Sequence, residues 1–194
     1  MCEPANIEES ETFQTVKEYR KKLREFEEKY QHVILTSRFS KETFLENKMF
    51  RERNPNIGCI YCSSTSISSK ISEDKTLFVL EMNNSINRIE GIGMIKNKPI
   101  VNKYKVYDYI SYNKNTYIGK YRISREDMTE EEEEILKVFD KLCFTGAKNL
   151  KRGKGINAFP VEILYKCVKH LDLVEFIRKM FKTRFSKNPG ETTG

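Results

Sequence analysis

The chain has 194 residues, 32% of them charged and 38% hydrophobic, with ten Tyr, twelve Phe and no Trp. That size fits one domain with appendages, and the supply of large apolar side chains excludes a disordered polymer, while no apolar run is long enough to span a membrane. The net charge of +7 is concentrated: Lys148 to Lys187 holds eleven basic residues against three acidic, so the rest of the chain is near neutral. One face that meets an anion is expected, nucleic acid ahead of a lipid surface because no lipid-inserting apolar face borders the cluster. The opening MCEPANIEESE lacks the features of a signal peptide, and five cysteines read as free thiols, so an intracellular protein, cytoplasmic or nuclear, is expected.

Phe13, Val16, Tyr19, Leu23, Phe26 and Tyr30 recur at spacings of three and four and trace one face of an amphipathic helix over residues 8–30. Packing on its own domain is the first expectation for it, and binding of a partner protein the second. Ser40 reads as the cap of a helix from Lys41 to about Arg53, ended by Asn54-Pro55-Asn56. Ile57 to Cys62 has strand character and leads into a serine-rich loop beginning Ser63-Ser64. In a strand, Cys59 and Cys62 point to opposite faces, so the pair does not make a metal or redox site, and His32 and His170 lack companions at ligand spacing.

Leu77 to Ile95, LFVLEMNNSINRIEGIGMI, reads as a hairpin turning at Asn83-Asn84-Ser85. Simple alternation puts Ile89, Gly91, Gly93 and Ile95 on one face and Ile92 with Met94 on the other. The two glycines form a notch, filled by core side chains or open as part of a ligand pocket. Strands are also expected over Ile100–Tyr109 and Thr116–Ile123, and such a run favours an antiparallel sheet curling into a small barrel of about five to six strands flanked by helices, an α+β fold. Thr129 with Glu132 forms a capping box ahead of a helix whose glutamates suit its N-terminus. Pro160 opens a further helix and Asp172 with Glu175 caps the last.

Between them, TGAKNLKRGKGINAF sets Lys148, Lys151, Arg152 and Lys154 among glycines, whose unshielded amides can approach phosphate oxygens. No nucleophile elbow, Walker loop, dinucleotide fingerprint or zinc deaminase signature occurs. Enzymatic activity, a cofactor and a metal are therefore not expected.

Taken in order, the strand ending Cys62-Ser63-Ser64, the LFVLEMNNSINRIEGIGMI hairpin, the tyrosine-rich connection, YIGKYRI, a helix and AFPVEIL resemble the PUA-like superfamily, nearest to YTH and EVE domains, over about residues 57–176. The resemblance implies a β-barrel, beside which the N-terminal amphipathic helix read from spacing would lie, and a pocket that takes one modified base of RNA or DNA. It places Ser63 and Ser64 at the base edge, Tyr107, Tyr109 or Tyr112 on the pocket wall, Asn83 and Asn84 at the hairpin, and the basic loop on flanking phosphates. Where YTH domains build this wall largely of Trp, tyrosine offers the π-face here. The implied organisation is a helical segment 1–54, the PUA-like domain 55–185 and a disordered tail 186–194. The alternative is a non-enzymatic structural or interaction protein, of a large DNA virus for instance, that recruits a partner through the first helix. A pocket floored by Gly91 and Gly93 and rimmed by Ser64 and a tyrosine favours the nucleic-acid reader; a filled notch favours the alternative.

Overall fold

The computed structural model describes residues 5–29 and 33–186, with side chains over 15–29 and 33–186. The expected tail 186–194, apart from Ser186, and His32 fall outside these residues. Among the described residues five α-helices and two sheets form a mixed α+β fold. One sheet has five strands, β1 (Val33–Phe39), β3 (Thr76–Asn83), β4 (Arg88–Lys96), β7 (Tyr121–Ser124) and β8 (Ile156–Ala158), in the order β7-β4-β3-β1-β8. The other joins β2 (Cys59–Ser63), β6 (Asn115–Gly119) and β5 (Ile100–Val101) in the order β2-β6-β5.

The five-stranded sheet divides the apolar residues between two cores. On one side Ile34, Phe78, Leu80, Met82, Ile89 and Ile92 pack under α3 (Glu130–Phe144), α4 (Val161–Cys167) and α5 (Leu173–Phe185). On the other, Leu35, Leu77, Val79 and Ile95 meet Ile60, Tyr61 and Tyr117 of the smaller sheet, with Phe44 and Phe50 of α2 (Lys41–Arg53) alongside. Strand β3 is buried along nearly its whole length because both of its faces are covered, which explains its almost unbroken apolar sequence.

Several expectations change. A closed antiparallel barrel does not form: β1 runs parallel to β3, and the strands divide into two sheets. The sheets join where Asn115–Ser124 bends at Lys120, its first half pairing with β2 and its second with β4. At the bend a Cβ on Gly119 would sit 1.9 Å from the Met94 carbonyl oxygen, so this close crossing requires glycine. On the far side β2 is an edge, and its Ile60 carbonyl accepts the Asn47 side chain of α2 (2.7 Å) in place of a closing strand. Strand β1, within the segment set apart as 1–54, lies between β3 and β8, so residues 33–39 belong to the main body.

Strand character over 100–109 is confined to β5. Asn102 turns the chain at φ +50° and a 3-10 turn follows at Ile110–Asn113, whereas the cationic loop ends in an unforeseen strand, β8. Leu80 pairs with Ile92 and Met82 with Ile89, which inserts one extra residue into β4. This bulge puts Ile89 and Ile92 in the same core and leaves Ile95 in the other, so the simple alternation fails at Glu90-Gly91.

The helix ends follow their sequence signals. Ser40 Oγ accepts the Thr43 amide (3.3 Å) while Thr43 Oγ1 accepts the Ser40 amide (2.9 Å), a capping box with Thr as the reciprocal partner. Thr129 and Glu132 do the same for α3, and Glu132 also receives Arg184 of α5, so the cap ties two helices. Helix α1 (Ala5–Lys29) docks on α4, with Tyr19 and Phe26 each edge-on to Tyr165 at centroid distances of 5.8 and 5.4 Å. Leu23 and Phe26 of its apolar stripe are thus used within the chain, with Tyr19 at the edge of the contact, while Val16 stays 47% exposed. No helix among the described residues is long and apolar enough to cross a membrane.

Candidate nucleic-acid interface

At the C-terminal ends of β1 and β2 the chain encloses a cavity of about 230 Å³. β1 contributes Ser37, Arg38 and Phe39, the start of α2 Ser40 and Thr43, and the end of β2 Cys62, Ser63 and Ser64. The tyrosine-rich connection adds Tyr107 and Tyr112, and the basic loop Gly153, Lys154 and Gly155. Three stretches singled out in the sequence therefore meet at one place.

Asparagines hold these stretches in position. Asn115 donates to the carbonyls of Ser63 (3.2 Å) and Ser64 (3.3 Å), fixing the serine loop against β6. Asn113 Oδ1 accepts the amides of Val106 (2.8 Å) and Tyr107 (2.9 Å) and its Nδ2 donates to the Tyr107 carbonyl (2.7 Å), which folds the connection into a compact bend. Asn47 donates to the Tyr107 hydroxyl (3.2 Å). The rings are graded in exposure: Tyr107 is 4% exposed, Tyr112 43% and Tyr109 64%. Tyr107 and Tyr112 meet edge to face at 6.4 Å, and Tyr109 lies 4.8 Å from Tyr112. One ring is built into the wall, one stands at the rim and one lies outside, a surface that offers π-faces for stacking.

The loop seats tightly on the other wall. Gly155 has φ +71°, and a Cβ there would lie 2.3 Å from Ser63 Oγ, so both backbone and space require glycine. Gly153 covers the Arg38 guanidinium, with its Cβ position 3.2 Å from Cζ. Arg38 Nε donates to the Leu150 carbonyl (2.5 Å), while Nη1 is buried and meets no acceptor among the described residues. Burial lowers the Arg38 pKa, and the nearby thiol of Cys143, pushed by burial up to about 12, supplies no negative charge at neutral pH. No carboxylate is found among the described residues lining the cavity, which thus carries two cations, Arg38 and Lys154, and several hydroxyls. Burial pushes the Cys62 thiol up to about 11, so it is a packing group here and not a nucleophile. Compared with protein-family models, with curated proteins and with solved structures, the chain matches none.

Of the residues expected at the site, Ser63, Ser64, Tyr107, Tyr112 and Lys154 line the cavity. Lys148 and Arg152 are on the same loop but outside it, and Lys151 is half-buried. Asn83 and Asn84 serve the backbone instead. Asn83 Oδ1 accepts the Ser85 amide (3.1 Å), and Asn84 donates its amide to the Phe39 carbonyl (2.9 Å) and its side chain to the Lys151 carbonyl (3.3 Å). They tie the hairpin turn to β1 and to the basic loop. The +8 segment is not one free face, because Arg184 binds Glu132 and Arg178 pairs with Glu175.

The glycine notch is filled. A Cβ on Gly93 would lie 2.0 Å from the Tyr61 hydroxyl and 2.8 Å from Cys59, and one on Gly91 2.7 Å from Arg122 Nη2. The cavity with Ser64 and tyrosines exists, but Gly91 and Gly93 do not floor it. Sequence reasoning missed Arg38, Ser37 and Thr43. The available signal was a single cation in the otherwise apolar or small run VILTSRF, directly before a helix cap.

Proposed function

We propose that this chain is a non-enzymatic nucleic-acid-binding protein that holds one nucleotide of a strand at the cavity between Ser63, Ser64 and Tyr112, with the basic loop on neighbouring phosphates. The observation that carries the reading is the convergence of hydroxyls, a tyrosine rim and two cations, without a carboxylate among the described residues, in one cavity. Hydroxyls and cations suit phosphate and sugar oxygens, and exposed rings suit a base, whatever its identity. The likeness in element order to PUA-like domains extends the proposal to a modified base of RNA or DNA. The competing reading, a structural or interaction protein, draws support from the filled notch.

Two variants separate phosphate contacts from base contacts. Replacing Lys151, Arg152 and Lys154 together by alanine is expected to weaken binding to all sequences and to lower the salt slope by roughly one unit per lost phosphate contact. Tyr112→Ala is expected to remove ~1–3 kcal/mol of stacking with the slope unchanged, since an uncharged ring releases no counterions. Titration of both variants at two salt concentrations, against modified and unmodified oligonucleotides, checks this. Wild-type affinity in both would pass the case to the interaction reading.

A further inference from the structure

We propose that the cavity is a phosphate-monoester site and that Arg38 is the residue that holds the oxyanion. Arg38 is a cation held beneath the basic loop, with Nε spent on the Leu150 carbonyl and Nη1 facing no acceptor among the described residues. Arg38 is half-buried, but its Nη1 is shut off from water, and a buried polar group is ordinarily paired; neither the neutral thiol of Cys143 nor any group lining the cavity pairs this one. The neighbours are what an oxyanion needs: Lys154, the hydroxyls of Thr43, Ser63 and Ser64, and the close backbone of Gly153.

Size and charge select the monoester. A volume of about 230 Å³ is below the ~300–1,000 Å³ usual for drug-sized ligands. It therefore suits a terminal group better than a diester with chain leaving on both sides. A monoester carries about −1.5 to −2 charges near neutrality, which the two cations of the lining match; a diester carries one. With the phosphate on Arg38, the attached nucleoside meets Tyr112 at the rim, with Tyr109 next to it outside the cavity. This deepens the nucleic-acid reading and rests on it for the source of the monoester, a strand end; a small phosphorylated molecule is the other source of the same chemistry.

The test titrates the full chain with one oligonucleotide bearing a 5′-phosphate, a 3′-phosphate or only hydroxyl ends, and follows thermal stability in inorganic phosphate against chloride at matched ionic strength. One phosphorylated end is expected to bind about tenfold tighter than the hydroxyl form, the effect of a charge-assisted hydrogen bond. Arg38→Gln should abolish that preference and Lys154→Met, at an exposed side chain, should reduce it. If Arg38→Gln does not fold, Lys154→Met decides: an undiminished preference overturns the site. Stabilisation by phosphate that Arg38→Gln or Lys154→Met removes, with no oligonucleotide bound, supports the site and overturns the nucleic-acid reading. Equal binding of all three oligonucleotides, with phosphate no better than chloride, overturns the site and leaves nucleic-acid binding standing. Absence of both effects overturns both.

Discussion

Glu81→Ala is expected to destabilise the protein by about 3–5 kcal/mol, the penalty for leaving the partner of a buried ion pair uncompensated. Glu81 is 1% exposed and sits opposite the β4 bulge, where it receives Arg122 through Nε (2.9 Å) and Nη2 (2.6 Å) and the Tyr61 hydroxyl (2.8 Å). Alanine would strand both donors in the core between the sheets. Burial pushes the Glu81 carboxyl up, but the Arg122 guanidinium beside it outweighs this and holds it below the ordinary range. Because the folded value is depressed, the pair's stabilisation is present above the ordinary glutamate pKa of about 4.3 and is lost as the pH falls through the folded value. Urea unfolding at neutral pH measures the loss. The double change Glu81→Met with Arg122→Met should recover the part due to the stranded guanidinium, since apolar groups of similar volume can replace a buried pair at little cost, while the Tyr61 hydroxyl stays without its acceptor. No recovery would mean that the loss lies in the Tyr61 hydroxyl, which reaches Glu81 from the smaller sheet, and not in the unpaired guanidinium.

This network was not legible in the sequence, for a physical reason. Glu81 lies in LFVLEMN as the one charge in an apolar strand, and Arg122 alternates with Tyr121 and Ile123 as an outward-facing residue would. Their pairing depends on β4 lying between β3 and β7, with a bulge that brings Gly91 against the guanidinium. Local periodicity carries no information on such a neighbour. Features set by local chemistry were legible: the caps at Ser40, Thr129 and Asp172, and the turn expected at Asn83-Asn84-Ser85 and found over 84–87, just past the end of β3, each depend on residues within a few positions of one another.

The candidate site divides in the same way. Its basic loop could be picked out from cations among glycines, and its serines and tyrosines from the resemblance in element order. Arg38 stood out only as the lone cation of VILTSRF, since its isolation follows from the long-range packing of β1 against β8 and of the loop over its side chain. The barrel expectation failed for a comparable reason. A run of short strands is compatible with one closed sheet or two open ones, and the choice lies in Gly119, where the backbone crosses Met94, and in Asn47, which occupies the edge of β2.

Gly93→Val should destabilise by about 1–3 kcal/mol through overpacking, and by a further ~1.5–3 kcal/mol if the Tyr61 hydroxyl is driven off the charged carboxylate it binds. Even the first carbon of a side chain at Gly93 would fall 2.0 Å from that hydroxyl and 2.8 Å from Cys59 Cβ. Neither neighbour can give way easily: Tyr61 is a rigid ring with no exposed surface, and Cys59 is fixed by the backbone of β2. Denaturant unfolding gives the single-variant value, and a cycle with Glu81→Ala tests its origin. Once Glu81 is gone the Tyr61 hydroxyl has no carboxylate to lose, so the second substitution should cost less in that background than in the wild type. Strict additivity would show that Tyr61 keeps its place and that the strain at Gly93 is relieved elsewhere, through Cys59 and the backbone of β2.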